Sequence, residues 1–412
     1  MYADVVLGRS VPLLGAISGW AYWVGWTPGI AVNIILASAY LHDTVLGGAS
    51  VFEAALLILV GLYALTWTGL RPSMRIAAVL AVVSGIPLLA ILIGLALHPS
   101  LLQVDSLLPF SVPGQSWSEP GTWMLAAKWG FVAAWSAYGA EMASTVTAEL
   151  RDPQNQLPRA MAIAATVGIL AFALTPILLV MAVGVSGLSS EPMTVFETAA
   201  REAFGGLGAT AVAMMLSASL ILGAQAFIVG SSRTVFQMAR DGHLPAVLGT
   251  VNRRGVPVGS IACDAAVVLS LLLFFHANAV DIVATANVGY IVVFVLLAPT
   301  YLAFRMQAGQ QARHTLLAVS LGAFNVLLLV VGGPQWGPRV FLTGLAIVAL
   351  SVPISLAVRR RPRVAFPPTV VAATAGAKLT GRLTGAGAGV PEPGAHRRRI
   401  GAVSRRRAAH VR

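Results

Sequence analysis

The sequence has 412 residues, 57% hydrophobic and 10% charged, with a formal net charge of +12 and a mean hydropathy of +0.81. A soluble domain carries roughly 25% charged residues to face water, so this composition excludes an ordinary soluble protein. The single cysteine, Cys263, excludes a disulfide framework or a zinc ribbon within the chain, and the histidines form no pair with metal-ligand spacing. There is no phosphate-binding loop or hydrolase elbow. We therefore expect no cofactor, no metal ion and no enzymatic activity.

Ten apolar stretches follow one another along the chain, each long enough to cross the ~30 Å hydrocarbon core of a bilayer. They cover residues 11–41, 53–70, 76–97, 123–147, 160–186, 208–232, 258–276, 280–304, 314–332 and 338–358. The first and the fourth exceed the length that a bilayer needs, so we expect bends at Pro28 and near Gly139. The predicted fold class is an all-α polytopic membrane protein with about ten transmembrane helices.

The cations in the connecting segments alternate strongly between the two sides of the predicted membrane. Eleven arginines fall on one side before residue 359, whereas the other side holds only Lys128, Arg201 and Arg339. Because lysine and arginine are retained on the cytoplasmic side, this asymmetry predicts that both termini are cytoplasmic. The regular alternation also supports the helix count, since one missed span would disrupt it. We expect the protein to lie in the cell membrane.

Residues 359–412 differ in composition from the rest of the chain. They contain thirteen cations, which account for most of the net charge, and an Ala/Gly/Thr-rich stretch. Such a segment cannot bury enough apolar area to fold, so we predict a disordered, basic cytoplasmic tail after a membrane domain of residues 1–358. Its charge favours contact with anionic lipid headgroups. No aromatic residues interleave its last two arginine clusters, and we expect no nucleic-acid partner.

The stretch at 123–147 carries the most informative residues. It contains the run Trp135-Ser136-Ala137-Tyr138-Gly139-Ala140-Glu141. A carboxylate within a span is costly unless it faces a cavity or a partner, and small residues beside it allow the backbone to unwind. Unwound backbone would free amides and carbonyls for a carboxylate or an ammonium group. A small-residue packing face, with Glu141 bonded to a neighbouring helix, explains the same residues, and the residues alone leave both interpretations open.

Two loop motifs follow at a characteristic spacing. The first reads Glu149-Leu150-Arg151-Asp152-Pro153 and continues to Leu157-Pro158-Arg159. The second reads Ala239-Arg240-Asp241-Gly242-His243-Leu244-Pro245 and continues to Val256-Pro257. In this order among the spans, they resemble the loops after the sixth and eighth helices of the amino acid–polyamine–organocation permeases. The opening run Gly19-Trp20-Ala21-Tyr22-Trp23 resembles the start of the third helix of that family.

The resemblance covers about residues 1–358 and implies an inverted-repeat, LeuT-like transporter fold. It equates the ten stretches with the third to twelfth helices of the family, so the first repeat would be incomplete. In relatives, the first helix has a glycine-rich break that binds the amino and carboxyl groups of the substrate, and no such segment precedes Tyr2. We therefore expect weak or absent transport by this chain alone, from either a late start or a truncated gene.

The resemblance also assigns site residues. Trp135 matches a substrate-stacking aromatic of helix six and Glu141 the acidic residue of that helix, whereas Tyr22 and Phe227 match aromatic positions on helices three and eight. Ser136, Tyr138 and Gly139 complete the predicted substrate-binding set. Aromatic faces would hold an ammonium or guanidinium group by cation–π attraction.

Simpler roles exist for several polar and aromatic residues. An interfacial belt or packing also explains Tyr22 and the tryptophans. Two residues of the eighth stretch are polar enough to line a cavity, but core packing is their preferred interpretation. The residues of the two groups are Tyr22, Trp20, Trp23, Trp26, Asn287 and Tyr290.

Two classes of function remain open from the sequence. The first is a secondary active transporter of amino acids or related amines. The second is a truncated or degenerate relative that does not transport and acts as a membrane partner or a sensor subunit.

The coupling ion is equally open: the stretch at 76–97 has no interior lysine of the kind a proton-linked branch uses. Ser217 and Ser219 offer hydroxyls for sodium, and Glu141 offers a proton site.

Overall fold

The computed structural model describes residue 6 and residues 11–42, 50–68, 74–108, 115–150, 152–190, 192–307 and 314–358. Within these residues the chain is helical and none lies in a strand. The predicted tail at 359–412 lies outside the described residues, as do Tyr2 and Gly8.

The α-helices are α1 (Pro12–His42), α2 (Val51–Trp67), α3 (Met74–Leu97), α4 (Pro120–Ala137), α5 (Pro153–Ser190), α6 (Val195–Arg240), α7 (Val258–Phe274), α8 (Ala279–Gln307), α9 (Thr315–Leu327), α10 (Pro338–Ala349) and α11 (Ser351–Val358). A 3₁₀ helix, Ala140–Glu149, follows α4, and a π-helical turn, Leu328–Gly332, extends α9.

Each of the ten predicted stretches falls on one or more of these helices. Six helical segments are long and apolar enough to cross a membrane, and three shorter apolar helices add to them. The remaining stretch is divided between α4 and the 3₁₀ helix. The predicted fold class, an all-α polytopic membrane protein, is confirmed.

The ends of two long helices differ from the prediction. The stretch predicted at 208–232 is part of α6, because a further helical segment joins it across Gly205, whose φ is 74°. The stretch predicted at 160–186 begins earlier, at Pro153, where a proline suits the first helical position because no intrahelical partner is needed. Hydropathy defines the part of a helix that lies in lipid, so it misses the ends that project into water.

Helix α1 forms the centre of the described bundle and packs mainly against α6 and α8. Most of its residues are buried, and Pro28 lies inside it without ending it. By contrast, α5 exposes a series of large apolar side chains, among them Ile163, Val167 and Leu170. A bundle with a dry centre and apolar outer helices suits a lipid solvent, because exposed apolar groups cost nothing there.

Candidate substrate site

The helix that begins with α4 is interrupted at Tyr138 and Gly139. Tyr138 is extended, with φ −89° and ψ 155°, and Gly139 has φ 133°, which a side chain would strain. The chain then continues as the 3₁₀ helix Ala140–Glu149. The bend predicted near Gly139 is therefore present as a break in the α-helix. The amide of Gly139 donates a hydrogen bond to Glu141 Oε2 at 2.7 Å.

Helix α1 presents two aromatic residues to this break. Tyr22 and Trp26 are four residues apart and share one face of the helix. The Trp26 ring lies edge-to-face with Phe227 of α6 at 4.9 Å and with Tyr290 of α8 at 5.4 Å. The Tyr22 ring lies 6.2 Å from that of Tyr290. Edge-to-face pairs of this kind fix the ring orientations, and the ring faces that no partner covers can hold a cation.

Glycines on the same helix let these rings approach the backbone. A Cβ atom at Gly25 would lie 2.6 Å from the Tyr290 ring, and one at Gly29 would lie 3.0 Å from Phe227. Trp135 reaches the same turn of α1, since its Nε1 donates to the Gly25 carbonyl at 3.3 Å. The broken helix, α1, α6 and α8 thus meet at one place.

Tyr138 lies in a stack of rings beside the break. Its ring stacks on Tyr290 at 4.9 Å and on Phe294 at 4.2 Å. Its hydroxyl donates to Oδ1 of the buried Asn325 of α9 at 2.6 Å. Tyr138 therefore connects the broken helix to both α8 and α9, and its hydroxyl is already occupied.

We define the aromatic cage as Tyr22, Trp26, Trp135, Tyr138, Phe227 and Tyr290. The Tyr290 hydroxyl lies 3.4 Å from Glu141 Oε1, which places the carboxylate at the edge of the cage. The Tyr22 hydroxyl and the Trp26 indole N–H are buried and form no hydrogen bond of good geometry with the described residues. The cage therefore combines ring faces, a carboxylate and two donors. This set can bind both an ammonium and a carboxylate group.

The structure brings most of the predicted site residues together. Tyr22, Trp135, Tyr138, Phe227 and Glu141 surround the break formed by Gly139. The Ser136 hydroxyl donates back to the carbonyl of Ala133 at 2.6 Å instead. Substrate contacts of all seven residues stay predictions.

The structure also bears on the simpler roles that the sequence suggested for the tryptophans, Asn287 and Tyr290. Burial of Trp20, Trp23 and Trp26 shows that none of them belongs to an interfacial belt, so that interpretation is wrong and packing is confirmed for the first two. Asn287 is fully buried and donates to the carbonyl of Phe131, as core packing predicts. Tyr290 is buried too, but it contacts the other rings of the cage, which the sequence analysis gave as the less favoured of two interpretations.

Sequence reasoning also missed Asp264, a fully buried carboxylate on α7. The signal was present, because a lone carboxylate within an apolar span is a marker of function. The hydroxyls of Ser217 and Ser219 both donate to carbonyls one turn earlier on α6, and Ser217 also reaches the carbonyl of Ala37. Whether either binds sodium stays a prediction.

A bundle of apolar helices, with a spanning helix broken beside a polar and aromatic cage, is the arrangement of a membrane transporter of the broken-helix type. A family model described as amino acid permease matches residues 3–368, and the chain belongs to this family. It is 22% identical to a D-serine/D-alanine/glycine transporter of Escherichia coli O6:H1, over 80% of this chain and 73% of that protein. It is 25% identical to an uncharacterized transporter of Mycobacterium bovis, over 80% of this chain and 74% of that one.

Proposed function

We propose that the chain is a secondary active transporter of amino acids or related amines in the cell membrane, with both termini cytoplasmic. The observation that carries the proposal is the break at Gly139 beside the aromatic cage and Glu141. The excess of cations in alternate loops supports the orientation. Membership in the amino acid permease family supports transport.

The chemistry of the cage supports an α-amino acid as substrate. Glu141 and the ring faces suit an ammonium group, and the Tyr22 hydroxyl and Trp26 N–H suit a carboxylate. The Trp26 ring is in edge-to-face contact with the rings of Phe227, at 4.9 Å between centroids, and of Tyr290, at 5.4 Å, so a bulky side chain would have to displace these rings. Glycine, D-alanine and D-serine, the substrates in the names of two relatives, are therefore the first to test.

Uptake by purified protein in lipid vesicles tests this proposal. We expect radiolabelled glycine or D-alanine to bind and, at no more than the weak rate predicted from the sequence, to accumulate under an inward proton or sodium gradient. The gradient that drives any uptake identifies the coupling ion. Glu141→Gln should reduce apparent affinity roughly tenfold or more, because it removes a charge-assisted bond to the ammonium group. Glu119→Gln, an exposed site at the start of α4, is the matched control and should leave uptake unchanged. Absence of both uptake and binding in folded protein would favour the non-transporting partner or sensor instead.

Accessibility to aqueous reagents tests the site separately from transport. In a Cys263→Ala background, cysteine at position 135 or 141 should react with a small charged thiol reagent, and saturating glycine should slow the reaction. Leu170→Cys on the exposed, apolar face of α5 is the lipid-facing control and should stay inert. Inertness at both site positions in folded protein would show that Trp135 and Glu141 only pack against other helices.

A further inference from the structure

Asp264 is the most unusual polar group in the described part of the bundle. It lies on α7, is fully buried, and has Ile261 and Val268 as buried apolar neighbours one turn away on either side. An ionised side chain inside a membrane protein is costly unless it is paired or hydrogen-bonded. It forms no ion pair with any described residue. Its partners are four uncharged donors instead.

These four donors are divided equally between the two carboxylate oxygens. Oδ1 accepts from Trp23 Nε1 at 2.9 Å and from Thr27 Oγ1 at 3.1 Å. Oδ2 accepts from the Tyr63 hydroxyl at 3.1 Å and from Ser231 Oγ at 2.6 Å. A carboxylate has about four lone-pair positions, and here each of them has a donor. The carboxylate therefore has a donor at each of its lone-pair positions and no position left for a further partner.

The donors come from three helices, but two of the four come from α1. Tyr63 belongs to α2 and Ser231 to α6, whereas Trp23 and Thr27 both belong to α1. Oδ1 is therefore bonded only to α1, and Oδ2 only to the other two helices. Oδ1 therefore connects α7 to α1, and Oδ2 connects α7 to α2 and α6.

The two α1 donors directly follow two residues of the aromatic cage. Trp23 follows Tyr22 and Thr27 follows Trp26, so the same two helical turns carry both pairs. Successive residues on a helix are about 100° apart, so the pairs lie on different faces. A rotation or an axial shift of α1 that moves Tyr22 and Trp26 would therefore break both hydrogen bonds to Oδ1.

We infer that Asp264 is a positioning residue for the substrate site: its Oδ1 holds α1 at the rotation and height that direct Tyr22 and Trp26 into the cage. Asp264 acts through Trp23 and Thr27 and does not itself reach the cage. The effect on substrate rests on the proposed function, whereas the effect on the orientation of α1 does not.

A matched pair of variants tests the inference. Thr27→Val and Tyr63→Phe each remove one hydroxyl donor from the carboxylate, but only Thr27 lies on a helix that carries cage residues. Both variants should lower the thermal midpoint to a similar extent. Thr27→Val should raise the KM for glycine about tenfold with kcat retained, and Tyr63→Phe should stay within about twofold of the parent. Thr27→Ser restores the hydroxyl and should restore KM.

A second measurement does not depend on transport. Tyr22→Cys in a Cys263→Ala background reports how position 22 faces the aqueous path, through its rate of alkylation by a charged maleimide. Adding Thr27→Val should change this rate about threefold or more, and adding Tyr63→Phe should not. Equal effects of the two variants on KM and on alkylation would overturn the inference, as would no effect of Thr27→Val on either. If the parent binds no amino acid, the proposed function fails and the alkylation rates alone decide the inference.

Discussion

Replacement of Gly25 by alanine tests whether α1 and α8 approach as closely as the cage requires. A Cβ at this position would lie 2.6 Å from Cδ2 and 2.9 Å from Cγ of Tyr290. Carbon atoms pack at about 3.5–4.0 Å, so the ring must move away by about 1 Å. Tyr290 is 1% exposed and stacks on Tyr138, so it cannot move alone.

The expected cost follows from these contacts. Overpacking of a close-packed site costs about 1–3 kcal/mol, and exchange of glycine for alanine within a helix returns about 0.5–1 kcal/mol. We expect Gly25→Ala to lower the free energy of unfolding by about 1–2 kcal/mol on balance. Movement of Tyr290 would also displace its hydroxyl from Glu141, and we expect glycine binding to weaken roughly tenfold.

A second glycine supplies the control for this prediction. Gly61 lies on α2, and a Cβ there would meet no atom within 4 Å. Gly61→Ala should therefore gain helix propensity without a clash and melt at or above the parent midpoint. Thermal unfolding in detergent and glycine binding by the purified protein measure both effects. If Gly25→Ala has the same thermal midpoint as Gly61→Ala and binds glycine with the affinity of the parent, the close approach of α1 to the Tyr290 ring does not limit stability or binding.

Three further predictions concern other parts of the chain. Asn325→Leu should destabilise the protein by about 1–3 kcal/mol, because it leaves the Tyr138 hydroxyl without its acceptor. In a double-mutant cycle of thermal midpoints, Tyr138→Phe should recover part of this loss. Glu141→Gln should cost under about 1 kcal/mol of stability, since an amide oxygen can still accept from the Gly139 N–H. Thermal denaturation measures this cost, and a larger loss would mean that Glu141 mainly supports the fold. A chain that ends after Arg361 should insert and elute from gel filtration like the full chain, because the removed segment has too few large apolar residues for a core. Extensive aggregation would contradict this.

The break in the spanning helix was predictable because its cause is local. Gly139 supplies the backbone freedom, and Glu141, two residues later, supplies an acceptor for its amide. A glycine two residues before a carboxylate within an apolar run is unusual enough to be recognised in a sequence. The positions of the apolar helices were predictable for a similar reason, since each span needs its own apolar stretch.

Trp26 and Tyr290 could not be placed in the site from the sequence. On an apolar helix, an aromatic side chain suits lipid, a membrane interface, the protein core or a cavity, and local sequence does not distinguish these. Their role depends on which faces of α1 and α8 meet. Close approaches such as that between Gly289 and the Ala21 carbonyl decide this, and they join residues far apart in the chain.

The two intramembrane carboxylates of the site region differ in how their charge is satisfied, and this difference separates their roles. Asp264 accepts four hydrogen bonds, from donors that hold it on both oxygens. Glu141 accepts a close bond from its own neighbour, Gly139, and a long one of 3.4 Å from Tyr290. A group with a donor at every lone pair holds its neighbours in place, whereas a group with spare capacity can accept an ammonium group. The carboxylate suited to exchange partners during a transport cycle is therefore Glu141, and Asp264 is suited to keep α1 fixed while that exchange takes place.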